Sequence, residues 1–166
     1  MLIFGIIVAL IVTVYSGAFD NQRLNEAAEG IVAQLQNARS KTLASKDDSG
    51  GSGKKYAVHF DDKNATSPNR AVLFVADGAG YAYSPTDLRN VVYSLPVGME
   101  ISSIALPPAS GDKPEVYFER ITGNGMVRNA VNNLVSLSIG IFVITSKRSG
   151  NARGVTINPL GVVEVN

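Results

Sequence analysis

The sequence predicts an α+β protein in which one long N-terminal helix packs on a mainly antiparallel β-sheet. Three observations carry this prediction. The first 19 residues contain no charged side chain, residues 24–42 repeat apolar side chains at helical spacing, and about eight short strand-like runs follow. One helix followed by many short strands is typical of the α+β class, so we expect an apolar first half of the helix, an amphipathic second half and a β-rich head.

The uncharged segment, residues 1–19, is long enough to cross a bilayer as a helix. Residues 2–19 would reach about 27 Å, against a hydrocarbon core of about 30 Å. The Leu, Ile, Val and Phe side chains of the segment favour insertion by about 3–6 kcal/mol in total. A cleaved signal peptide is the alternative, with Ser16-Gly17-Ala18 as its cleavage site. The first basic residue is Arg23, so no basic n-region precedes the apolar run and we favour the span.

The amphipathic continuation, residues 20–46, carries a stripe of apolar side chains at alternating spacings of three and four. This docking stripe comprises Leu24, Ala28, Ile31, Leu35, Ala38 and Thr42. Such a stripe is typical of a helix that buries one face against its own domain. A separate coiled coil is the less favoured alternative. Because no proline occurs before Pro68, we expect one continuous helix from about residue 2 to 45.

The remaining residues, 47–166, have the pattern of a single β-rich domain. Alternating or uniformly apolar runs at 56–61, 71–76, 91–95, 99–106, 115–120, 134–145, 154–157 and 162–165 are separated by Gly, Pro, Asn and Asp turns. The run 134–145 is the most apolar, and we expect it to be a central strand. About 120 residues are enough for one hydrophobic core.

Catalytic and metal-binding patterns are missing from the sequence, so neither an enzyme nor a cofactor is expected. His59 is the only histidine, and the nearby Asp61 and Asp62 fit a turn better than a metal site. No phosphate-binding loop, nucleophile elbow or zinc-helix motif is present. The 15 basic and 14 acidic residues give no overall preference for nucleic acid, and the absence of cysteine rules out a disulfide framework.

One short loop has the charge for nucleic-acid contact. Lys147, Arg148 and Arg153, which we call the basic tip, lie within seven residues of one another. Such cations could contact phosphates and give a salt-dependent affinity. No aromatic residues that could stack on bases are interleaved with them, so an ordinary solvated hairpin tip is the favoured interpretation.

The layout resembles the type IV pilin-like proteins, and is closest to the GspH/FimT-type pseudopilins and minor pilins. Residues 31–42 (IVAQLQNARSKT) are similar to the helix of that group, which carries an Ala-Arg-Ser motif. Residues 115–118 (EVYF) leading to Gly123 resemble its Phe-to-Gly hairpin, and residues 154–165 resemble its closing hairpin. Members usually carry a glutamate at position 5 and often a proline near position 22, where this chain has Gly5 and Gln22.

The resemblance implies a structural subunit of a type IV pilus or type II secretion pseudopilus. The subunit would be held in the inner membrane with its head outside the cytoplasm, and prepilin-type machinery would then assemble it with copies of itself or related pilins into a helical filament. Assembly would depend on Leu2, Ile3, Phe4, Gly5, Ile6, Ile7, Val8, Leu10, Ile11 and Val14. Two alternatives stay open: a FimT-like minor pilin that binds DNA through the basic tip, and a membrane-anchored domain that never polymerises.

Overall fold

The computed structural model describes residues 2–45, 55–62, 64–66, 68–76, 83–107, 114–129 and 133–166, with side chains from Gly17 onward. Within these residues, helix α1 (Leu2–Ala44) is followed by ten strands. They are β1 (Lys55–Asp61), β2 (Arg70–Ala76), β3 (Val91–Ser94), β4 (Met99–Ala105), β5 (Glu115–Phe118), β6 (Gly125–Arg128), β7 (Leu134–Ser136), β8 (Gly140–Ser146), β9 (Ala152–Ile157) and β10 (Val163–Val165). The predicted boundary between residues 46 and 47 lies outside the described residues.

The strands form two antiparallel sheets. The six-stranded sheet has the order β3-β2-β1-β5-β6-β7, and the four-stranded sheet has the order β10-β9-β8-β4. Every strand pair in both sheets is antiparallel. The α+β class and the antiparallel pairing are thereby confirmed, but the expected single sheet is divided in two.

The core lies between the helix and the inner faces of both sheets. Helix side chains such as Ile31 and Leu35 are fully buried there. Phe60 of the six-stranded sheet meets Phe142 of the four-stranded sheet at 4.3 Å between ring centroids, so the two sheets share one core. At the end of the helix, the Thr42 hydroxyl donates to the carbonyl of Tyr56 (3.2 Å) and accepts from its N–H (2.9 Å), which ties α1 to β1.

The run 134–145, predicted as one central strand, is two strands in different sheets. β7 forms an edge of the six-stranded sheet, whereas β8 lies inside the four-stranded sheet between β9 and β4. At the crossing, the N–H of Leu137 donates to Gly125 and the N–H of Ser138 donates to Pro107. Leu137 lies between the two strands and is 1% exposed, so the chain is buried where it crosses from one sheet to the other. The prediction of one strand was therefore wrong.

Two turns meet the helix near its C-terminal end. The Arg39 guanidinium donates through Nε to the carbonyl of Gly123 (3.1 Å) and through Nη2 to that of Leu160 (3.4 Å). Gly161 has a φ of 73°, and a Cβ there would lie 2.2 Å from the carbonyl oxygen of Gly123. This close approach of two backbones excludes a side chain at residue 161.

Gly161→Ala is expected to destabilise the fold by about 3 kcal/mol, of which about 1 kcal/mol is left-handed backbone strain and the rest is the clash. Gly150→Ala is the matched control, because Gly150 has a φ of 72° but nothing within 4 Å of its Cβ position. Urea unfolding of both variants measures the difference. Equal losses of stability would contradict the close approach at Gly161.

Candidate functional site

The docking stripe lies in the core along the docked half of the helix. Leu24 is 2% exposed, and Ala28, Ile31, Leu35, Ala38 and Thr42 are fully buried. The neighbouring Ala27 is also fully buried, and Asp20 is 6% exposed. Asp20 is the first buried side chain in the described part of the helix, since Ala18 and Phe19 are exposed. The stripe therefore fixes the head on the second half of the helix.

The first half of helix α1 is continuous with the docked second half. α1 spans 43 residues as one element from Leu2 to Ala44. From Gly17 onward, where side chains are described, no helix has both the length and the apolar character to cross a membrane. The predicted assembly residues Leu2, Ile3, Phe4, Gly5, Ile6, Ile7, Val8, Leu10, Ile11 and Val14 have side chains outside the described part of the chain.

Lys147 and Arg148 of the basic tip lie in the β8–β9 turn and Arg153 lies at the start of β9, against the start of the docked half of the helix. The Arg153 guanidinium donates through Nε to the Asn25 amide oxygen (3.0 Å), and Asn151 donates to Asn21 (3.1 Å). Lys147 is ion-paired with Glu100 at 3.6 Å. Arg148 is exposed. Two of the three cations are therefore engaged by the head and the helix, and the tip lies next to the uncharged segment.

A buried polar cluster lies on the other face of the six-stranded sheet, away from the helix. Glu115 is its centre and is 1% exposed. Its carboxylate accepts a hydrogen bond from the Tyr117 hydroxyl and another from the N–H of Tyr83 (3.3 Å). It also lies 3.4 Å from Nδ1 of His59. The side chains of His59 and Glu115 lie on the same face of the sheet because the two residues are direct partners in the antiparallel register of β1 and β5.

Two arginines balance the acids of this cluster. Arg128 donates through Nη2 to the Tyr117 hydroxyl (2.8 Å), and its Nε lies 3.9 Å from Glu115. Arg70 donates through Nε to Asp61 (2.5 Å). Asp61 in turn lies 3.2 Å from Nε2 of His59. The arrangement pairs the buried Glu115 and the partly buried Asp61 each with an arginine and places the imidazole between the two carboxylates.

The cluster holds Tyr83 against the outer face of the six-stranded sheet. The ring of Tyr83 stacks on that of His59 at 4.1 Å between centroids and 15° between planes. Beneath it, Phe74 and Tyr117 pack edge-to-face at 6.1 Å. Aromatic side chains thus cover the part of this face around His59 and Tyr117, and the buried Glu115 finds its hydrogen-bond donors there.

Burial and hydrogen bonding set the protonation of the two central groups. Burial alone would raise the pKa of Glu115, but the adjacent His59 and the hydrogen bond from Tyr117 outweigh it and hold the pKa below its ordinary value. Burial and the adjacent Glu115 raise the pKa of Tyr117. Glu115 is therefore an anionic acceptor and Tyr117 a protonated donor at neutral pH, which is a stable pairing rather than a pair poised for proton transfer.

A shallow pocket of about 430 Å³ opens beside this cluster. Its lining includes His59, Asp61, Asp62, Ile104 and Pro114. Within the described ranges, no three His, Cys, Asp or Glu side chains are placed to hold a metal ion. Asp61 is instead engaged by Arg70 and His59, and Asp62 accepts the N–H and the side-chain amide of Asn64 in a local turn.

Glu115→Gln is expected to lower the free energy of unfolding by about 2 kcal/mol at pH 7, because charge-assisted hydrogen bonds are lost beside Arg128. The pKa of Glu115 is lower in the folded than in the unfolded chain. Its contribution is thus present above the ordinary value of 4.5 and is lost as the pH falls through the folded value. Urea unfolding from pH 7 to pH 3 should show the difference between wild type and variant shrinking. Glu29→Gln, on the exposed helix face, is the control; a difference independent of pH would contradict the assignment.

Comparison with known proteins adds no relative to these observations. No protein-family model, curated protein or solved structure matches the chain.

Proposed function

We propose that the protein is a structural subunit of a filament of the type IV pilus or type II secretion pseudopilus kind, and that it polymerises through the uncharged segment of its helix. One observation carries the proposal. A single 43-residue helix joins a segment without charges to a half that is buried against a folded head. Such a helix would connect the apolar core of a filament to its polar exterior.

Elementary physical chemistry explains why such a chain would polymerise. An apolar helix that leaves the bilayer must find surroundings as apolar as lipid, because exposing it to water is costly. A bundle of identical helices supplies these surroundings, and close packing holds helices together where lipid and protein are equally apolar. The charged heads are excluded from such a bundle and would coat its outside. The N-terminal segment would thus be stored in the inner membrane until assembly.

The same division of the chain gives each part a role in the filament. Residues 1–19 would form the filament core, residues 20–46 would connect it to the head, and residues 47–166 would form the head. The partners would be copies of the chain or related pilins together with prepilin-type assembly machinery, and the location would be a filament outside the cytoplasm. The balanced pairing of Glu115, Arg128 and Tyr117 supports a structural rather than a catalytic role for the polar cluster.

DNA binding by the basic tip is the second candidate, and the contacts favour it less. Lys147 is paired with Glu100, and Arg153 is held against Asn25 of the helix. Reversing the charges of Lys147, Arg148 and Arg153 would abolish DNA binding without touching the uncharged segment. A membrane-anchored domain that does not polymerise is the remaining alternative, since Gly5 stands where related pilins carry an acid.

The proposal is tested by shearing cells that produce the chain and examining the released fraction by negative-stain electron microscopy. Filaments that bind an antibody against the head are the expected result. Recovery of all the protein in the membrane fraction, with none in filaments, would favour the anchored domain. Retention of labelled DNA by the membrane-bound protein, lost on charge reversal at the basic tip, would favour the DNA-binding alternative.

A further inference from the structure

Strand β9 runs along the docked half of the helix in the same direction as the helix itself. At the start of β9, Arg153 donates to the Asn25 side chain, and just beyond its end the carbonyl of Leu160 accepts from Arg39. Asn25 lies near the start of the docked half and Arg39 near its end. The β8–β9 turn precedes β9, so this turn lies at the end of the head that adjoins the uncharged segment.

Distances along the helix fix the level of the turn more closely. The N–H of Ser146 donates to the carbonyl of Asn151 (2.9 Å) and closes the turn, so residues 147–150 project beyond this pair toward the N-terminus of the helix. Asn151 donates to the Asn21 side chain (3.1 Å), and Asn21 is about 3 Å along the helix axis from residue 19. The outermost residues of the turn, 148 and 149, are therefore about level with the end of the uncharged segment.

Exposed positive charge is concentrated at this end of the molecule. We call it the proximal end and define it by Phe19, Arg23, Val97, Lys147, Arg148 and Ser149. Arg23, Lys147 and Arg148 are exposed. The acids beside them are buried or paired, since Asp20 is 6% exposed and Glu100 forms an ion pair with Lys147 (3.6 Å). The proximal end therefore presents arginine charge to whatever lies beside the start of the docked helix.

Exposed apolar side chains accompany these charges. Phe19, the last residue of the uncharged segment, is exposed. The β3–β4 turn lies beside the β8–β9 turn, because the N–H of Lys147 donates to the carbonyl of Gly98 (2.8 Å). In that neighbouring turn, Val97 is 87% exposed. Apolar side chains together with lysine and arginine are the combination that binds at the interface of a bilayer with anionic lipids.

We propose that the proximal end docks on the surface of a bilayer that contains anionic phospholipids, an inference that rests on the proposed function. When the uncharged segment is stored in the membrane, its end lies at the boundary of the hydrocarbon core. The headgroup layer extends about 5–8 Å beyond that boundary and so includes the outermost residues of the β8–β9 turn. Arg23 and Arg148 then contact lipid phosphates, and the head takes a fixed orientation on the membrane.

The position of the turn favours lipid over nucleic acid as the source of these phosphates. The bilayer already occupies the space beside the end of the uncharged segment, and anionic lipids repel nucleic acid from that layer. Each lysine or arginine near an anionic surface strengthens binding about fivefold, and the effect falls off within a Debye length of about 10 Å. A few cations therefore orient the head without preventing the subunit from leaving the bilayer.

Fluorescence quenching by lipid headgroups tests the contact. The chain contains no cysteine, so Ser149→Cys gives one site for a fluorescent label at the end of the β8–β9 turn. Ile121→Cys is the matched control. Ile121 is exposed in the β5–β6 turn, whose Gly123 is bonded to Arg39 at the far end of the helix. Each labelled full-length chain is reconstituted in vesicles of phosphatidylcholine, with or without phosphatidylglycerol, that contain a lipid with a nitroxide on its headgroup.

We expect the label at residue 149 to be quenched about threefold more in vesicles with phosphatidylglycerol than in phosphatidylcholine alone, and high salt to remove the difference. The label at residue 121 should be quenched equally in both. Adding Arg148→Glu to the residue 149 variant should abolish the difference. Lys41→Glu, the same change of charge on an exposed residue near the far end of the helix, should preserve it. Equal quenching at residue 149 in the two kinds of vesicle would overturn the proposal.

Flotation of the same samples separates this proposal from the proposed function. A chain that floats with both kinds of vesicle but is quenched equally at residue 149 refutes the lipid contact and leaves the uncharged segment as a membrane segment. A chain that floats with neither refutes the membrane storage on which both proposals rest. Equal quenching together with retention of labelled duplex DNA, lost on Arg148→Glu, would overturn the lipid contact and assign the basic tip to nucleic acid.

Discussion

Replacing Ile7 with lysine is expected to abolish filament formation while the head stays folded. A lysine near the centre of an apolar helix costs about 2.5–3.5 kcal/mol in a bilayer, which corresponds to roughly a hundredfold loss of the inserted form. The same charge would be unpaired in a bundle of apolar helices, where its burial costs at least as much. Leu10→Lys should act in the same way, because it places the charge at a similar depth of the segment.

The measurement is the amount of the protein in membrane and sheared-filament fractions, alongside circular dichroism of the solubilised chain. Gln36→Lys is the matched control, since Gln36 is exposed on the docked half of the same helix. It should leave both fractions unchanged. Normal filament yield from the Ile7 variant would contradict the role given to the uncharged segment.

Leu35→Ala should lower the free energy of unfolding of the head by about 2–5 kcal/mol. Leu35 projects from the helix into the core and is fully buried, so its truncation removes apolar contacts and leaves a cavity. A loss of this size is a large part of the 5–15 kcal/mol that stabilises a typical domain. Urea unfolding followed by circular dichroism gives the value directly.

Gln36→Ala, one residue along and exposed, provides the comparison for Leu35→Ala. Its effect should stay within about 0.5 kcal/mol, as is usual for surface substitutions. If the two variants were equally stable, the docking stripe would not be the surface that holds the head on the helix. The Leu35 variant should still enter the membrane, because it leaves the uncharged segment intact.

The helix could be predicted from the sequence because its signals are local. The spacing of Leu24, Ile31, Leu35 and Ala38 identifies the buried face, and the absence of proline allows one continuous element. Most strand positions follow from similarly local alternation and from turn residues, but β6 (Gly125–Arg128) lies in none of the predicted runs. The class of fold therefore depends on information that lies within a few residues along the chain.

The division into two sheets could not be predicted in this way. Residues 134–145 look like one strand because each half is apolar, and periodicity carries no information about distant pairing partners. Leu134 pairs with Arg128 in one sheet, whereas Ile144 pairs with Arg153 and Ile101 in the other. Those partners lie at different places in the chain, and only the tertiary arrangement chooses between them.

The polar cluster could not be predicted either, because it too depends on the pairing of distant segments. His59 and Asp61 alternate on β1, and Glu115 and Tyr117 alternate on β5, so each pair is visible in the sequence. Taken alone, His59 fits a surface or partly buried strand residue. The register that places His59 opposite Glu115 links two segments 56 positions apart, and the arginines complete the balance from two further strands. Likewise, Glu100 and Asn25 engage the basic tip from distant elements.

The most direct test of the filament account is a helical reconstruction by electron cryo-microscopy of material sheared from cells producing the chain. The account predicts an ordered filament in which residues 2–19 lie as parallel apolar helices in the core and the heads form the outer layer. Filaments whose core contains no density for these residues, with contacts made only between heads, would contradict it.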